Sequence, residues 1–485
     1  MQQLQTTKAA SLWSYFLNIC AIPHPSKHEQ QLADWIMNWA KEKNISCTQD
    51  EAGNLILSKP ASSGYEHKTP TILQAHLDMV PQKNSNTEHD FLTDAITPII
   101  SGEWLHADNT TLGADNGIGL ASCLAVLADN AIEHGPLEIL LTSDEETGMT
   151  GAFALQADAL KGKILINTDS EQEGELYVGC AGGINVNINF PYEKMETEPT
   201  DNAYEISLNG LKGGHSGCDI NLKRGNAIKV LTGVLHNLDA IPFQLAFFEG
   251  GSLRNAIPRE ARAVIVCDEQ YQNSLETLIN TLQLDLQKKF KNIEESIQLS
   301  VKSCELPLSV LTSQCQTDFL NCLQGCDNGV FAMDDNFPDV VQTSSNLGVI
   351  TQSKDKPTSF DLQVLVRSQI EHEKQILADK FVQHFQLHGA ECCKDGNYPG
   401  WKPNPNSTIY KIMAEQYNKL FNKKAETMVI HAGLECGLFS NKYPHWDMIS
   451  FGPTIKFPHS PDEKVDITSV DKYWQLLIAT LKAID

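Results

Sequence analysis

The most informative stretch of this sequence is Leu73-Gln74-Ala75-His76-Leu77-Asp78-Met79-Val80. The mostly apolar run Thr71–Leu77 predicts a buried strand, with His76 near its end and Asp78 two residues later. A neutral imidazole at the end of a strand is a natural metal ligand, and a nearby carboxylate can orient the ring through its other nitrogen. Alone, a His-x-Asp pattern is more often a solvated loop, so its meaning depends on the residues at the ends of the neighbouring strands.

Length and composition limit the classes of protein to which the chain can belong. Its 485 residues predict two or three domains. The formal net charge of −24 argues against a nucleic acid or an anionic membrane as partner, because phosphate contacts need clustered Lys and Arg. No secretory signal and no run of about 18 apolar residues is recognisable. The 13 cysteines form no Cys-x-x-Cys pair, which favours reduced thiols in a cytoplasmic protein.

The first third of the chain alternates helical and strand patterns. Strands are predicted at Thr71–Leu77, Leu137–Thr142 and Ile164–Asn167, with a helix over 118–128 between the first two. This alternation predicts an α/β domain with a mostly parallel central sheet. Candidate ligands come at the ends of the predicted strands: His76 and Asp78, Glu145 and Glu146, and Asp169. Open α/β sheets bind ligands at the carboxyl ends of their strands, so these side chains are expected to meet at one edge.

The N-terminal region predicts two helices before the first strand. The first spans 12–22, and Ser26-Lys27-His28-Glu29 matches a capping box that opens a second helix through Trp39. His24 and His28 flank this cap, and we expect both to be surface residues. His384 and His388 show no ligand partner in their sequence context.

The middle of the chain differs from the two ends and predicts an inserted α+β domain. We place the α/β domain at 1–183 and 397–485 and the insertion at 184–396. Within the insertion, Gly251–Ile257 resembles Ser344–Ile350, and each segment precedes a strand-like run. This faint repeat suggests a duplicated module.

Two further motifs add candidate ligands. Thr111-Leu112-Gly113-Ala114-Asp115-Asn116-Gly117 places a carboxylate in a glycine-rich turn before a helix, where its two oxygens can bridge two cations. Phe457-Pro458-His459-Ser460-Pro461 holds a histidine in a proline-bounded loop. Alone, the first motif is more often an Asp-Asn-Gly turn with a helix cap. Only the full set of motifs points to a two-metal hydrolase.

In this order the motifs resemble the M20 family of metallopeptidases over almost the full chain. The segments that carry the resemblance are His76–Val80, Gly113–Gly117, Asp144–Gly148, Gly213–Gly217 and His431–Gly437. The last of these resembles the aminoacyl-histidine dipeptidase (Xaa-His or β-Ala-His dipeptidase) branch in particular.

The resemblance implies two divalent metal ions, zinc first, although cobalt or manganese also suit mixed His and carboxylate ligands. In this family pattern Asp115 bridges the two ions. His76 and Asp169 complete one site, and Glu146 and His459 complete the other.

The resemblance also implies the catalytic and substrate-binding residues. Glu145 is the general base for a water that bridges the metals, and Asp78 hydrogen-bonds His76. The inserted domain becomes a lid that closes over the substrate. Three of the expected substrate-binding residues, His215, Asn255 and Arg367, lie in this domain. The fourth, Gly433, lies in the C-terminal part of the chain. A turn histidine and a surface arginine are the plain structural alternatives for His215 and Arg367.

These implications give one main hypothesis and two alternatives. The main hypothesis is a cytoplasmic dipeptidase that cleaves unblocked dipeptides, preferably Xaa-His, and forms a homodimer. One alternative is an M20 enzyme that acts on another amide, such as an N-acyl amino acid or a tripeptide. The other is a non-catalytic metal- or peptide-binding protein built on a hydrolase scaffold.

Overall fold

The computed structural model describes residues 1–198 and 201–485, which divide into two compact units. The first unit contains Met1–Cys180, Trp401–Val429 and Leu434–Asp485, and the second contains Ala181–Gly400 and Ile430–Gly433. The sequence-based domain division after residues 183 and 396 stays a prediction; the compact units change over after Cys180 and after Gly400.

The helices and strands follow the chain in three groups. The N-terminal group is α1 (Ala10–Cys20), α2 (Gln30–Glu42), β1 (Ser46–Gln49), β2 (Leu55–Lys59), β3 (Thr71–His76), β4 (Pro98–Ser101), β5 (Trp104–Ala107), α3 (Ala114–Ala128), β6 (Leu137–Thr142), α4 (Glu145–Gly148), α5 (Thr150–Ala154), β7 (Ile164–Asn167) and β8 (Glu175–Cys180). The middle group is β9 (Gly182–Pro191), β10 (Lys194–Glu196), β11 (Asp201–Asn209), β12 (Gly214–His215), α6 (Ala227–His236), β13 (Gln244–Gly250), β14 (Ala256–Ile257), β15 (Ala261–Asp268), α7 (Gln272–Lys289), β16 (Gln298–Cys304), β17 (Ser309–Leu311), α8 (Ser313–Gly325), β18 (Gly329–Met333), β19 (Val341–Gln352), β20 (Ser359–Ser368), α9 (Glu371–Leu387) and β21 (Glu391–Tyr398). The C-terminal group is α10 (Thr408–Phe421), β22 (Glu426–Ile430), α11 (Glu435–Lys442), β23 (Asp447–Ser450), β24 (Ile455–Lys456), β25 (Lys464–Asp466) and α12 (Ile467–Ala483). Short 3₁₀ helices span Leu4–Thr6, Ile220–Leu222 and Glu269–Tyr271.

The main sheet of the first unit has a parallel centre and antiparallel edges. Its strand order is β1-β2-β6-β3-β7-β23-β8-β22. Strands β6, β3, β7 and β23 run parallel, whereas β1 with β2, β2 with β6 and β8 with β23 pair antiparallel. Every residue of β3 and β7 is buried, as expected for parallel strands that are covered on both faces. The predicted α/β class with a parallel central sheet is confirmed.

The second unit is built from two copies of one module. Its main sheet has the order β16-β11-β15-β13-β19-β20-β9-β21, and its pairings are antiparallel. One copy contains β11, α6, β13, β15, α7 and β16, in chain order. The other contains β9, which precedes the first copy in the chain, and α8, β19, β20, α9 and β21, which follow it. In both copies the fourth strand pairs with the first, the first with the third, and the third with the second. The copies join where β13 pairs with β19, so the suggested duplication is confirmed by topology.

Each unit has its own hydrophobic core. In the first, α3 packs against β3 and α1 packs against α3, around buried side chains such as Trp13, Phe16 and Ile118. In the second, the core gathers around aromatic side chains that include Phe190, Phe319 and Phe360. Among the described residues, none of the helices has both the length and the apolar character of a membrane span, and no disulfide joins the cysteines there.

The predicted capping box at Ser26–Glu29 is wrong. Helix α2 begins at Gln30, and its N-cap residue Glu29 makes no side-chain capping bond. Instead, the Glu29 carboxylate accepts the backbone N–H groups of Lys27 and Asp144, at 2.9 and 3.0 Å. Ser26 Oγ donates to Asp78 Oδ2 at 2.8 Å. The expectation for His24 is also wrong, since this residue is buried. Asp78 and Asp144, both distant in the chain, therefore take the place of the predicted capping partners.

Candidate metal centre

The predicted ligands of the first unit meet at the carboxyl edge of its parallel strands. His76 is the last residue of β3, Asp169 lies two residues beyond β7, and Glu145 opens the short helix α4 after β6. Asp115 lies in the first turn of α3, two residues after Gly113, whose φ of 71° is left-handed. This backbone conformation suits glycine and makes the turn before the helix. His459 lies in a loop after β24.

One group of ligand atoms surrounds His76. Its Nε2 lies 3.2 Å from Asp115 Oδ1 and 3.4 Å from Asp169 Oδ1. Two ligands of one tetrahedral zinc ion, each bonded at about 2.0–2.2 Å, lie roughly 3.4 Å apart. His76, Asp115 and Asp169 therefore have the spacing that a shared cation requires.

A second group surrounds His459. Its Nε2 lies 3.2 Å from Asp115 Oδ2 and 3.1 Å from Glu146 Oε1. Apart from His459, no group among the described residues approaches the buried Glu146 Oε1 as a hydrogen-bond donor. A buried carboxylate oxygen with so few donors is more typical of a metal ligand than of a group held by structural hydrogen bonds. Asp115 belongs to both groups, because each of its oxygens faces a different histidine.

The electrostatics of the cluster show how strongly it favours positive charge. Burial opposes ionisation of Asp115, yet its contacts with His459 and His76 hold its pKa well below the usual range. The nearby carboxylates of Asp115 and Glu146 raise the pKa of His459 to about 11. Burial, with the charge of Asp115, raises the pKa of Asp169 to about 7 despite the opposing effect of His76. Divalent cations would satisfy these crowded carboxylates.

Asp78 links the His76 ring to the turn that carries the two glutamates. The His76 Nδ1–H donates to the Asp78 backbone carbonyl at 2.9 Å, while the carboxylate oxygen Oδ1 lies 3.4 Å away. The carboxylate accepts the backbone N–H groups of Glu145 and Glu146, at 2.9 and 3.2 Å. Burial acts to raise the pKa of Asp78, but interactions with His76 and these donors lower it to about 2. The expected bond from ring to carboxylate is thus mainly a bond from ring to backbone.

Glu145 has the environment of a proton acceptor. Burial, together with the charges of Asp169, Glu435 and Glu146, raises its pKa well above the usual value, although His76 acts in the opposite direction. A carboxylate whose proton affinity is raised in this way is a better proton acceptor than an exposed one.

Several residues of the centre had no role in the sequence interpretation. Asn116 Nδ2 donates to Asp169 Oδ1 and, at 2.9 Å, to the Thr168 carbonyl. Burial and the charges of Asp115 and Asp169 raise the pKa of Glu171 to about 8. Asn116 is adjacent to Asp115 and Glu171 is two residues from Asp169, so proximity to a predicted ligand was the available signal.

Glu435 is fully buried in the first unit. Its Oε2 accepts Gln74 Nε2 at 2.6 Å and Thr142 Oγ1 at 2.8 Å. Burial and the charge of Asp169 raise its pKa to about 8, against the effect of His76. No sequence pattern indicated these contacts.

The expected substrate-binding residues lie together in the second unit. Arg367 is 5% exposed and donates through Nη1 to Tyr398 Oη at 2.8 Å and through Nε to Ser216 Oγ at 3.4 Å. The Asn255 carbonyl accepts the Ser216 N–H at 2.8 Å. A Cβ on Gly433 would lie 3.0 Å from the Tyr398 ring. The alternative of a surface arginine is therefore wrong for Arg367.

His215 is held as a neutral donor in the same unit. Its Nδ1 accepts the N–H groups of Gly217 and Cys218, at 3.2 and 3.0 Å, which leaves the ring proton on Nε2. Burial, with the charge of Arg367, lowers the pKa of His215 to about 4. A neutral imidazole whose proton is fixed on Nε2 is a preorganised donor for developing negative charge.

His431, the first residue of the His431–Gly437 motif, is buried. Its Nε2 lies 2.7 Å from Ser344 Oγ. Burial, with the charges of Arg367 and His215, lowers the pKa of His431 to about 3. The ring therefore stays neutral at physiological pH.

His384 and His388 have a neighbour that their sequence context did not show. His384 Nε2 lies 3.6 Å from Cys322 Sγ, but also 2.8 Å from the Cys322 carbonyl oxygen. The Nε2–H therefore donates to the carbonyl, and the ring nitrogen nearest the thiol already has a partner.

The chain is similar to known proteins in both sequence and structure. The sequence profile described as peptidase family M20/M25/M40 matches residues 72–483. The chain is 46% identical over 485 residues to the cytosol non-specific dipeptidase of Escherichia coli (strain K12), covering 100% of this chain and 99% of the relative. The crystal structure of aminoacylhistidine dipeptidase from Vibrio alginolyticus superposes with a TM-score of 0.92 at 47% identity, covering 100% of this chain and 99% of the other.

A more distant structure shares the fold alone. Aminopeptidase PepT from Bacillus cereus has a TM-score of 0.58 at 16% identity and covers 98% of this chain and 99% of the other. The profile match and the full-length relative together show that the chain belongs to peptidase family M20/M25/M40.

Proposed function

We propose that this protein is a metal-dependent dipeptidase that hydrolyses unblocked dipeptides, preferably Xaa-His substrates including β-alanyl-histidine. The observation that carries the proposal is the Asp115 carboxylate, whose oxygens lie 3.2 Å from His76 Nε2 and 3.2 Å from His459 Nε2. A carboxylate shared between two ligand groups suits a dinuclear centre. The names of the full-length relatives, a dipeptidase and an aminoacylhistidine dipeptidase, support the substrate class.

The donor set fits zinc. Two histidines and three carboxylates, with Asp115 shared, would hold two ions in sites of mixed nitrogen and oxygen ligands. His76 and Asp169 would complete one site, and Glu146 and His459 the other. Cobalt or manganese would suit the same ligands. When bound, the cations would acidify a water molecule and polarise the peptide carbonyl.

The protein's own groups would then move the proton. Glu145 would accept the proton of the attacking water at its carboxylate and deliver it to the nitrogen of the leaving amine. Its raised pKa supports both steps. Asp78 would hold the Glu145 backbone and the His76 ring in fixed relation.

The residues of the second unit would bind the substrate. Arg367 would pair with the C-terminal carboxylate, because a guanidinium can hold both of its oxygens. His215 would donate through Nε2 to the oxyanion that forms on the carbonyl. Asn255 would make a polar contact with the substrate. Gly433, which has no side chain, would let the backbone approach the substrate closely.

The setting of the enzyme is part of the same proposal. We propose that the enzyme is cytosolic, which the name of the Escherichia coli relative supports. We also propose that it forms a homodimer. A monomer mass in sedimentation velocity would contradict the homodimer.

Purified protein should be assayed with carnosine and with a panel of Xaa-His, Xaa-Leu and N-acetylated dipeptides. We expect cleavage that is fastest for Xaa-His, is lost with a chelator and returns with zinc. Turnover of acylated substrates alone would indicate another M20 amidohydrolase. No cleavage of any substrate by metal-loaded protein would instead favour a binding protein.

A further inference from the structure

The Glu463 side chain has an unusual set of partners for a buried carboxylate. It is 2% exposed. Its Oε2 accepts the N–H groups of Leu112 and Gly113 at 2.8 and 3.0 Å, and its Oε1 accepts those of Ala114 and Asp115 at 2.8 and 3.3 Å. Four consecutive backbone donors thus converge on one carboxylate.

These donors belong to the turn that begins α3. Asp115 and Asn116 have non-helical backbone angles, so these N–H groups precede the regular part of the helix and need partners outside it. A carboxylate that binds them fixes the turn in place, and the last of the four donors is the N–H of Asp115 itself. Glu463 therefore determines where the Asp115 backbone lies.

The backbone of Glu463 is tied to His459. A tight turn separates them, in which Glu463 N–H donates to the Ser460 carbonyl at 2.9 Å and Asp462 N–H donates to Ser460 Oγ at 3.2 Å. Strand β25 begins at the next residue and pairs with β5. His459 itself has a left-handed backbone, with φ 58°, and a side chain that is 49% exposed. Its position is therefore set by the turn rather than by burial.

Glu463 thus contacts one candidate ligand through its side chain and is joined to another by a short turn. The two ligands are adjacent, since His459 Nε2 lies 3.2 Å from Asp115 Oδ2. We propose that Glu463 is a positioning residue that fixes the spacing between Asp115 and His459 and so sets the metal affinity of the site they share with Glu146. This inference rests on the metal centre of the proposed function.

A purely structural role would have different consequences. It would lower the stability of the fold without a preference for either metal site. A positioning role predicts a larger loss of affinity at the site that contains His459 than at the site of His76 and Asp169. Both sites use Asp115, so some loss at the second is also expected.

The test is a metal titration of the full-length apoprotein with Co²⁺ and Zn²⁺. The binding of Co²⁺ is followed by visible absorption and that of Zn²⁺ by competition with a chromophoric chelator. In Glu463→Gln the charge is lost, and an amide NH₂ replaces one of the acceptor oxygens. We expect the dissociation constant of the ion held by Asp115, Glu146 and His459 to rise by about 10–100-fold, the usual effect of removing a group that orients metal ligands.

The matched control is Glu294→Gln in the second unit. Glu294 is also 2% exposed and accepts the backbone N–H groups of Lys212 and Gly225, each at 2.8 Å. We expect this variant to lose thermal stability and to keep the metal affinity of the wild type. Glu463→Asp keeps the charge on a shorter side chain, so we expect it to restore part of the affinity.

Three results would contradict the proposal. They are wild-type affinity in a folded Glu463→Gln protein, an equal loss in Glu294→Gln, or the same loss in Glu463→Asp as in Glu463→Gln. If Glu463→Gln does not fold, the comparison of Glu463→Asp with the wild type decides by the same criterion. The titration measures metal binding and not hydrolysis, so it is independent of the peptidase assay. If the wild type bound two ions but cleaved no peptide in that assay, the proposed function would be wrong and the role of Glu463 could still be tested.

Discussion

Asp78 shows how much of the centre depends on individual side chains. Its carboxylate accepts the backbone N–H groups of Glu145 and Glu146 and the hydroxyl of Ser26. Its carbonyl accepts the His76 ring proton. One residue therefore orients a candidate ligand, a second ligand and the candidate base together. Glu145 is the residue whose role can be separated most cleanly from metal binding.

We expect Glu145→Gln to retain both metals and to lower kcat by about 10²–10⁴-fold, the usual contribution of a general base. Metal content by mass spectrometry and dipeptide turnover check this together. Glu138→Gln is the matched control, because Glu138 lies at the opposite end of β6 and accepts the N–H groups of Lys161 and Gly162. Wild-type turnover in Glu145→Gln would remove it as the base, and loss of one metal would make it a ligand.

Helix α3 shows how a whole element positions ligands. A Cβ on Gly119 would lie 2.1 Å from Asn116 Oδ1 and 2.3 Å from Thr168 Oγ1. The helix can therefore approach the end of β7 only if this position is glycine. That approach lets the Asn116 side chain donate to Asp169 and to the Thr168 carbonyl.

We expect Gly119→Ala to displace Asn116, to weaken metal binding by at least about 10-fold, and to lower the free energy of unfolding by about 1–3 kcal/mol. Gly233→Ala in α6 is the control, because nothing lies within 4 Å of a Cβ there. It should stabilise the protein by about 0.5–1 kcal/mol, the cost of glycine in a helix. Urea unfolding followed by circular dichroism measures both effects. Normal metal affinity in a folded Gly119→Ala protein would contradict the role of Asn116.

At the scale of the whole molecule, the tryptophans report on the unit that holds the metal centre. All seven lie in the first unit, namely Trp13, Trp35, Trp39, Trp104, Trp401, Trp446 and Trp474. Their fluorescence therefore follows the unfolding of that unit separately from the second.

We expect removal of the metals to lower the midpoint of the tryptophan transition. The cations bind the folded carboxylate cluster, and a ligand at 100 times its Kd stabilises the folded state by about 2.7 kcal/mol. Thermal unfolding with a chelator, and then with added zinc, measures the shift. The shift should be much smaller in Asp115→Asn, which loses the shared ligand. Equal midpoints for the stripped and loaded wild type would contradict a metal centre in the first unit.

The fold was predictable from local patterns because the apolar periodicity of each strand or helix lies entirely within that strand or helix. Strands β6 and β7 have the bounds that their apolar runs predicted, and β3 differs by one residue. The duplication of the second unit left only a faint trace in sequence, yet its strand order is repeated in full. Side-chain chemistry need not be conserved for two modules to share a backbone path.

The candidate ligands were predictable because each comes at the end of a recognisable strand or in a recognisable turn. Their supporting residues were not, since their partners are distant in the chain. Glu435 and Gln74 are 361 residues apart, and Glu463 and Leu112 are 351 apart. The capping box failed for the same reason, because Ser26 and Glu29 bond to Asp78 and Asp144 instead.

The sequence by itself determined the α/β class, the order of the elements and the residue types at the strand ends, because periodicity and turn chemistry act over short segments. Only the tertiary structure decided which oxygen of Asp115 faces which histidine, which amides Glu463 accepts and how Arg367 is buried. Those contacts depend on the directions in which distant backbones bring their N–H groups and side chains together, and a local pattern contains no record of those directions.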